Sequence, residues 1–189
     1  YMIIEVRPEQ DDHGANEQGS ENIGQQYIWK ELIEAINNGE GLIYIKTRPD
    51  EKPDLRDILG VKIKGEEKHA TQLILLESQI ANANTIDLKE EKAIQITLEK
   101  AIQVAYINTK DNMGHNEKEY QLPAITINNY GLGKAILFAF NPIDNNNPIL
   151  NQVIVNAINY ITPDAEKTEL TTNSIEPINT RIMNLGEEL

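Results

Sequence analysis

Apolar residues repeat with helical spacing near both ends of this sequence and with strand spacing in between. The first helical stripe consists of Ile28, Trp29, Leu32, Ile33 and Ile36. Residues three or four positions apart share one face of a helix, so the stripe predicts an amphipathic helix. Asn37-Asn38-Gly39 is expected to end it, because glycine readily takes the left-handed conformation of a helix C-terminal cap.

Short apolar segments flank this helix. Met2–Val6 predicts a strand, and Leu42–Ile45 is an uninterrupted apolar run. Such a run is typical of a strand covered on both faces, as in parallel sheets. The helix and the following strand form half of a βαβ unit. Pro53–Gly60 predicts a short helix, with proline in its first turn and glycine after its end.

The clearest helical periodicity lies later in the chain. Its stripe consists of Ile149, Leu150, Val153, Ile154, Ala157, Ile158 and Ile161. Pro148 suits the first position of this helix, and Asn146 or Asn147 suits its N-terminal cap. Two further strands are predicted after it, at Thr168–Leu170 and Ile178–Met183.

The middle of the chain predicts strands joined by turns. The segments are Val61–Lys64, Gln72–Leu76, Ala93–Leu98, Val104–Ile107, Ala124–Ile127 and Ala135–Phe140. Several alternate apolar with polar residues, which is typical of half-exposed antiparallel strands. The glycines of Tyr130-Gly131-Leu132-Gly133 predict a hairpin turn between the last two.

These elements together predict an α/β fold, a flavodoxin-like or Rossmann-like, mostly parallel sheet flanked by helices. An antiparallel β insert is expected at residues 61–128, within a domain of residues 1–163. Residues 164–189 are expected to form a linker and a β segment. That segment is either the start of a β-rich neighbour or an edge hairpin of the same domain.

Charge and composition remove several classes of partner and cofactor. The 189 residues carry a formal net charge of −13 and include no cysteine. Binding to nucleic acid or to an anionic membrane needs clustered Lys and Arg, so neither is expected. Without cysteine there is no disulfide, thiolate metal site, iron–sulfur cluster or cysteine nucleophile. No apolar run of about 18 residues is present, so no membrane insertion is predicted.

Two segments carry a resemblance to a known family. Trp29–Ile45 and Asn129–Phe140 resemble the class I glutamine amidotransferase-like superfamily, over about residues 25–162. The chain is more similar to its non-catalytic branch, which includes β-galactosidase trimerisation-type domains and modules of bacterial surface proteins. That pattern is a helix ending in glycines, a central strand, an antiparallel insert, a Tyr-Gly-x-Gly-Lys hairpin and a closing helix. Ser174–Leu189 resembles the opening of an immunoglobulin-like module of bacterial surface proteins.

The chain departs from the catalytic members of that superfamily where their chemistry lies. Those members carry a Gly-x-Cys-x-Gly nucleophile elbow after a central strand. The corresponding place here is Lys46–Asp50, which has no cysteine, no serine and no flanking glycine, and no His-x-Glu pair follows late in the chain. The resemblance therefore implies a protein that is not an enzyme.

The residues themselves also offer little for hydrolysis. A base would have to be His13, His69 or His115, all in polar turns or at strand edges. Thr47 is a hydroxyl at the end of a strand, and no Gly-x-Ser-x-Gly is present. We assign no catalytic residue. The alternative is a degenerate hydrolase, or a small-molecule or sugar-binding domain, with its site near Thr47–Asp50.

Candidate ion sites are equally weak, and no metal or cofactor is predicted. Two groups offer oxygen or imidazole ligands. One is Asp11, Asp12, His13 and Glu17, and the other is the run Asp144–Asn147. Neither has the spacing of a calcium loop, and solvation or helix capping explains both. Lys46 and Arg48 lie where open α/β sheets bind ligands, although ion pairing with Asp50 or Asp54 is the simpler expectation.

The sequence thus favours a non-catalytic structural or binding module of a larger bacterial surface or secreted protein. Its extracellular or cell-surface location is an expectation from the resemblance. The expected partners are neighbouring domains of the same polypeptide, or further copies of the chain. The strand that opens the chain at Met2 is what we expect of a piece taken from a longer protein.

Overall fold

A computed structural model describes residues 2–6, 21–46, 55–111, 118–143, 147–162 and 182–184. The helices are α1 (Glu21–Asn37), α2 (Arg56–Leu59) and α3 (Pro148–Ile161). The strands are β1 (Met2–Val6), β2 (Gly41–Lys46), β3 (Val61–Leu75), β4 (Asn84–Leu98), β5 (Ile102–Asp111), β6 (Lys118–Tyr130), β7 (Gly133–Phe138) and β8 (Ile182–Asn184).

The eight strands form one mixed sheet in the order β4-β3-β5-β6-β7-β2-β1-β8. Strands β7, β2, β1 and β8 run parallel to one another, and we call them the parallel half. Strands β6, β5, β3 and β4 form the antiparallel half. β6 also pairs with β7 in antiparallel orientation, and this pair joins the two halves.

The predicted flavodoxin-like or Rossmann-like, mostly parallel α/β fold is wrong. Four of the seven pairs among the described strands are antiparallel, and strand residues far outnumber helical ones. The error has a physical cause. Local periodicity identified helices and apolar strands, but strand order depends on contacts between distant segments. The region expected to be an insert supplies half of the sheet's strands.

The antiparallel half bends, so that part of the β3–β4 pair lies over the end of β7 in a sandwich-like arrangement. Irregularities interrupt the β3–β4 pairing between Ile63 and Glu67 and between Ala70 and Gln72. Such bulges bend and twist a strand pair. The bent pair reaches back to the end of β7, where the backbone N–H of Ile94 donates to the carbonyl oxygen of Ala139 at 2.8 Å.

Apolar residues cover both faces of β2 and β7 in the parallel half. On one face, Ile43, Ile45, Ile136 and Phe138 pack with buried residues of α3. On the other, Leu42, Tyr44, Ala135 and Leu137 pack with α1 and α2. The prediction that the run Leu42–Ile45 is covered on both faces is confirmed. Trp29 belongs to the second cluster and is only 8% exposed, so it is a core residue.

Several local predictions agree with the described elements, and some do not. The hairpin turn, the end of α1 and the α3 stripe are confirmed, except that Ile149 is exposed. Val61–Lys64 and Gln72–Leu75 belong to one strand, β3. The pattern predicts two strands there because bulges between them break the alternation. The first half of β4, Asn84–Lys92, was missed.

The last described strand, β8, pairs in parallel with β1 at the edge of the sheet. The linker and the immunoglobulin-like start predicted for residues 164–189 fall mostly outside the described residues, as does the strand Thr168–Leu170. The division into residues 1–163 and 164–189 therefore stays a prediction.

Candidate functional site

Most of the residues singled out for chemistry lie outside the described ranges. They are Asp11, Asp12, His13, Glu17, Thr47, Arg48, Pro49, Asp50, Asp54, His115 and Asp144–Asn146. Predictions that fall on them, including the alternative site near Thr47–Asp50, stay predictions. Lys46 ends β2, at the carboxyl edge of the parallel half.

The candidate residues that the structure describes, His69 and Asn147, have positions that folding alone explains. His69 lies on β3 in register with Lys92, and its side chain is exposed. Asn147 caps α3, since its Oδ1 accepts from the N–H groups of Ile149 (2.9 Å) and Leu150 (3.4 Å). Within the part of the chain that the structure describes, no three His, Asp or Glu residues are grouped to hold a metal ion.

The β6–β7 turn is held tightly against the end of α1. Leu132 N–H donates to the carbonyl oxygen of Asn37 at 3.0 Å. This bond satisfies one of the last carbonyls of α1, which have no partner within the helix. Gly131 has φ +59°, and a Cβ there would lie within 3.0 Å of Asn37 atoms. At Gly133 it would lie equally close to the carbonyl oxygens of Ile36 and Glu40.

The same turn also holds the end of α3, on the opposite face of the sheet. Lys134 Nζ donates to the carbonyl oxygen of Tyr160 at 3.1 Å and lies 4.2 Å from the centre of the Tyr160 ring. A cation is favourable beside the last carbonyls of a helix and over an aromatic face. We call residues Gly131–Lys134, together with the ends of α1 and α3 that they contact, the clasp.

The clasp explains the motif that suggested a family. Its glycines permit backbone contact, and its lysine binds a helix end. The clasp lies where β2 and β7 begin, as the pair Gly41–Lys134 shows. Ligands of open α/β sheets bind at the opposite, carboxyl edge. The Tyr-Gly-x-Gly-Lys motif is thus used for packing.

A second junction joins α2 to the antiparallel half. The buried side chain of Asn128 donates from Nδ2 to the carbonyl oxygens of Asp57 (3.1 Å) and Ile58 (2.7 Å). The carbonyl oxygen of Gly60 accepts from the N–H groups of Glu99, Lys100 and Ala101 at 3.0 Å each. The turn between β4 and β5 is thereby fixed against the end of α2.

An ion pair at the surface crosses the same junction. Arg56 Nε donates to Glu99 Oε2 at 2.8 Å, and Arg56 Nη2 donates to Glu99 Oε1. This hydrogen bonding by Arg56 holds the pKa of Glu99 below the ordinary glutamate value of 4.5. The pair is solvent-exposed, so we expect it to contribute little to stability.

A small cavity opens where the β3–β4 pair leaves the rest of the sheet. Pairing between β3 and β5 stops at Ala70 and Thr109. Beyond that point lies a cavity of about 120 Å³, which we call the notch; it is lined by Lys68, Gln95, Thr109, Tyr120 and Leu122. Ordinary ligand pockets begin at about 300 Å³. The notch is therefore too small for a sugar, although it has room for a few atoms.

Sequence reasoning missed the notch entirely. Its residues come from four strands, and the split that forms it depends on bulges in β3 and β4. Thr109 differs from the other lining residues because it is polar and its side chain, in β5, is only 1% exposed. Period-two alternation on β5 would place it on the same face as the buried Ile107, but nothing local shows a cavity.

The fold is similar to parts of proteins whose structures are solved. A β-galactosidase from Rahnella sp. R3 matches at 16% identity and a TM-score of 0.51, over 70% of this chain. A β-galactosidase from Bacillus circulans sp. alkalophilus matches at 15% identity and a TM-score of 0.50, also over 70%. A cytoplasmic protein from Salmonella typhimurium matches at 15% identity and a TM-score of 0.52, over 70% of this chain and 59% of that one.

These likenesses concern the fold alone. The chain spans about a fifth of the length of the two β-galactosidases, since 20% of each is covered. No family model and no curated protein matches the chain. The predicted likeness to part of β-galactosidases is confirmed at the level of fold. An amidotransferase-like, Rossmann-like α/β domain is not supported, because the mixed, strand-rich sheet conflicts with it.

None of the helices in the described ranges is both long and apolar enough to cross a membrane.

Proposed function

We propose that this chain is a non-catalytic accessory domain of a larger protein, with an architectural or binding role. The observation that carries the proposal is the match to only 20% of two glycosidase chains. In those two proteins the matching fold is one part of a larger chain. The clasp adds support, because its glycines and lysine are engaged with helix ends.

The finer parts of the proposal concern location and partners. We place the domain in a bacterial surface or secreted protein, on the strength of the sequence resemblance. Its proposed partners are neighbouring domains of the same polypeptide, or further copies of the chain. With a net charge of −13, nucleic acid and anionic membranes are poor partners.

Hydrolysis assays test the non-catalytic part. The purified chain would be incubated with glutamine, aryl esters and aryl glycosides, beside its Thr47→Ala variant. We expect no turnover above the buffer rate from either protein. The matched control is Thr97→Ala, which changes an exposed threonine of β4. Turnover that disappears in Thr47→Ala but persists in Thr97→Ala would overturn the proposal and favour a hydrolase.

Sedimentation velocity over a wide concentration range separates the two kinds of partner. A single monomeric species at every concentration would favour neighbouring domains. A concentration-dependent shift to a larger species would favour self-association. Either result is compatible with an accessory domain and decides how that domain acts.

A further inference from the structure

Asn38 and Gly39 follow α1 directly, beside the clasp, and they form a chemically reactive pair. Asn38 is the one asparagine of the sequence that glycine follows. The backbone nitrogen after an asparagine can attack the side-chain amide, and glycine hinders this attack least because it has no Cβ. The side chain of Asn38 is exposed, so water reaches it. The pair therefore has the chemistry for deamidation.

The reaction is a cyclisation followed by hydrolysis. A bond forms between the Gly39 nitrogen and Asn38 Cγ, the bond from Cγ to Nδ2 breaks, and ammonia leaves with the proton of the Gly39 N–H. Water then opens the cyclic imide at either carbonyl carbon. Opening at Cγ gives aspartate. Opening at the main-chain carbonyl gives isoaspartate, in which the chain runs through Cγ and is one carbon longer.

The folded protein holds the reacting groups back. The nucleophile is the Gly39 nitrogen, and its N–H donates to the carbonyl oxygen of Ile36 at 3.1 Å. The N–H of Asn38 donates to the carbonyl oxygen of Glu34 at 3.0 Å. Cyclisation requires the Gly39 nitrogen to lose its proton and the backbone to rotate about Asn38, so these bonds must break first. The reaction therefore needs local opening at the end of α1.

The isoaspartate product does not fit the closed clasp. The carbonyl oxygens of Ile36 and Glu40, on the two sides of the reactive pair, lie so close to Gly133 that no Cβ fits there. One extra carbon, about 1.5 Å of main chain, changes the separation of these two oxygens. The new carboxylate also places a negative charge just after the last carbonyls of α1, where the helix dipole disfavours it.

We propose that Asn38–Gly39 is a self-modification site controlled by the clasp. Asn38 deamidates only when the end of α1 opens, and isoaspartate then prevents the clasp from closing again. The pair thus converts a transient opening into a permanent one. This inference goes beyond the proposed accessory role and does not depend on it.

Peptide mass spectrometry of the ageing chain tests the site. The chain is kept in mildly alkaline buffer at physiological temperature, either native or unfolded in guanidinium chloride. We expect Asn38 to deamidate at least about tenfold more slowly in the native chain. Asn129 is exposed but followed by tyrosine, so it should stay intact in both samples. Equal rates at Asn38 in the two samples, or equal rates at Asn38 and Asn129, would overturn the proposal.

Variants then test control by the clasp under native conditions. Gly133→Ala weakens the clasp, and Asn38 should deamidate several-fold faster in it than in the parent. Gly131→Ala, whose methyl group would meet atoms at the end of α1, replaces it if it does not fold. Leu132→Ala is the matched control in the same turn and should react at the parent rate. Asn128→Ala weakens a different junction, so equal acceleration in it would contradict control by the clasp.

Hydrogen exchange tests the consequence of the modification. In aged chain that carries isoaspartate, the Leu132 amide should exchange at least about tenfold faster than in fresh chain. Asn38→Asp carries the new charge without the extra carbon, and it should lose less protection. An aged chain that keeps the protection of fresh chain would show that the product fits the clasp, and would contradict the proposal.

Discussion

The two halves of the sheet bury different kinds of side chain. In the parallel half, β2 and β7 place apolar residues on both faces and are covered by α1, α2 and α3. The buried polar side chains of the described residues are Thr109, Thr126 and Asn128, and all lie on β5 or β6. Among the described residues of β2 and β7, the buried polar side-chain atom is the hydroxyl of Tyr44, whereas β5 and β6 bury hydroxyl and amide groups on shorter side chains.

This difference separates fully packed space from open space in the molecule. The clasp at the beginning of β2 and β7 fills its space so fully that no Cβ fits at two of its glycines. The notch in the antiparallel half keeps open volume and exposes donors to it. The conspicuous motif therefore marks packing, whereas the open volume lies at strand positions that carry no motif.

The largest expected effect tests how tightly the clasp packs. Gly133→Ala would place a methyl group against the backbone oxygens of Ile36 and Glu40, which cannot move aside as a side chain can. We expect a loss of about 3 kcal/mol or more in the free energy of unfolding, measured by urea denaturation. Leu132→Ala is the control. Its side chain is 82% exposed in the same turn, so equal losses would contradict the comparison.

The next effect tests the polar junction in the antiparallel half. Asn128→Ala leaves the carbonyl oxygens of Asp57 and Ile58 without their donor in a buried place. We expect a loss of about 2 kcal/mol in the free energy of unfolding. The neighbouring Asn129 is exposed, and Asn129→Ala should change stability little. Similar values for the two variants would show that the junction adds nothing.

A gain of stability is expected at a buried hydroxyl. Thr126 is fully buried, and its Oγ1 has no hydrogen-bond partner. Thr126→Val removes that unsatisfied group with little change of shape, and should stabilise the fold by about 1 kcal/mol. Thr109→Val is the matched control and should give no gain, because its hydroxyl contacts the carbonyl oxygen of Tyr120. Calorimetric melting of the two variants checks the difference.

The smallest effect concerns the surface pair of Arg56 and Glu99. Since the pKa of Glu99 is lowered in the folded protein, the pair stabilises the fold above about pH 4.5. That contribution is lost as the pH falls through the lowered pKa. Glu99→Gln should therefore reduce the melting temperature slightly at neutral pH and leave it unchanged in strong acid. The control is Glu31→Gln on α1. A larger fall in melting temperature for Glu99→Gln in acid than at neutral pH would contradict the predicted direction of the pH dependence.

Sequence periodicity predicted α1, α3, β2 and β7 well, because each buries an apolar stripe or run of its own. The stripe of α3 and the run Leu42–Ile45 needed no knowledge of distant residues. The antiparallel half was less predictable. Bulges in β3 and β4 break the alternation that marks a strand, and the contact between Asn128 and Asp57 joins residues 71 positions apart.

The sites followed the same rule. Tyr130–Lys134 was visible as a motif, but only the contact with Asn37 and Tyr160 shows that its role is packing. The notch had no local signal, since its lining residues come from four strands that meet only in the folded sheet. A cavity that forms where two strand pairs separate cannot be predicted from the residues along any one strand.

The most direct test of the packing role of the clasp is native-state hydrogen exchange at the Leu132 amide. This amide lies in a turn whose side chain is exposed, yet it donates to the carbonyl oxygen of Asn37. If the clasp is a packed junction, this amide opens only with the surrounding core and is protected about as strongly as amides of β2. Rapid exchange at Leu132, with β2 still protected, would contradict a structural role for the clasp.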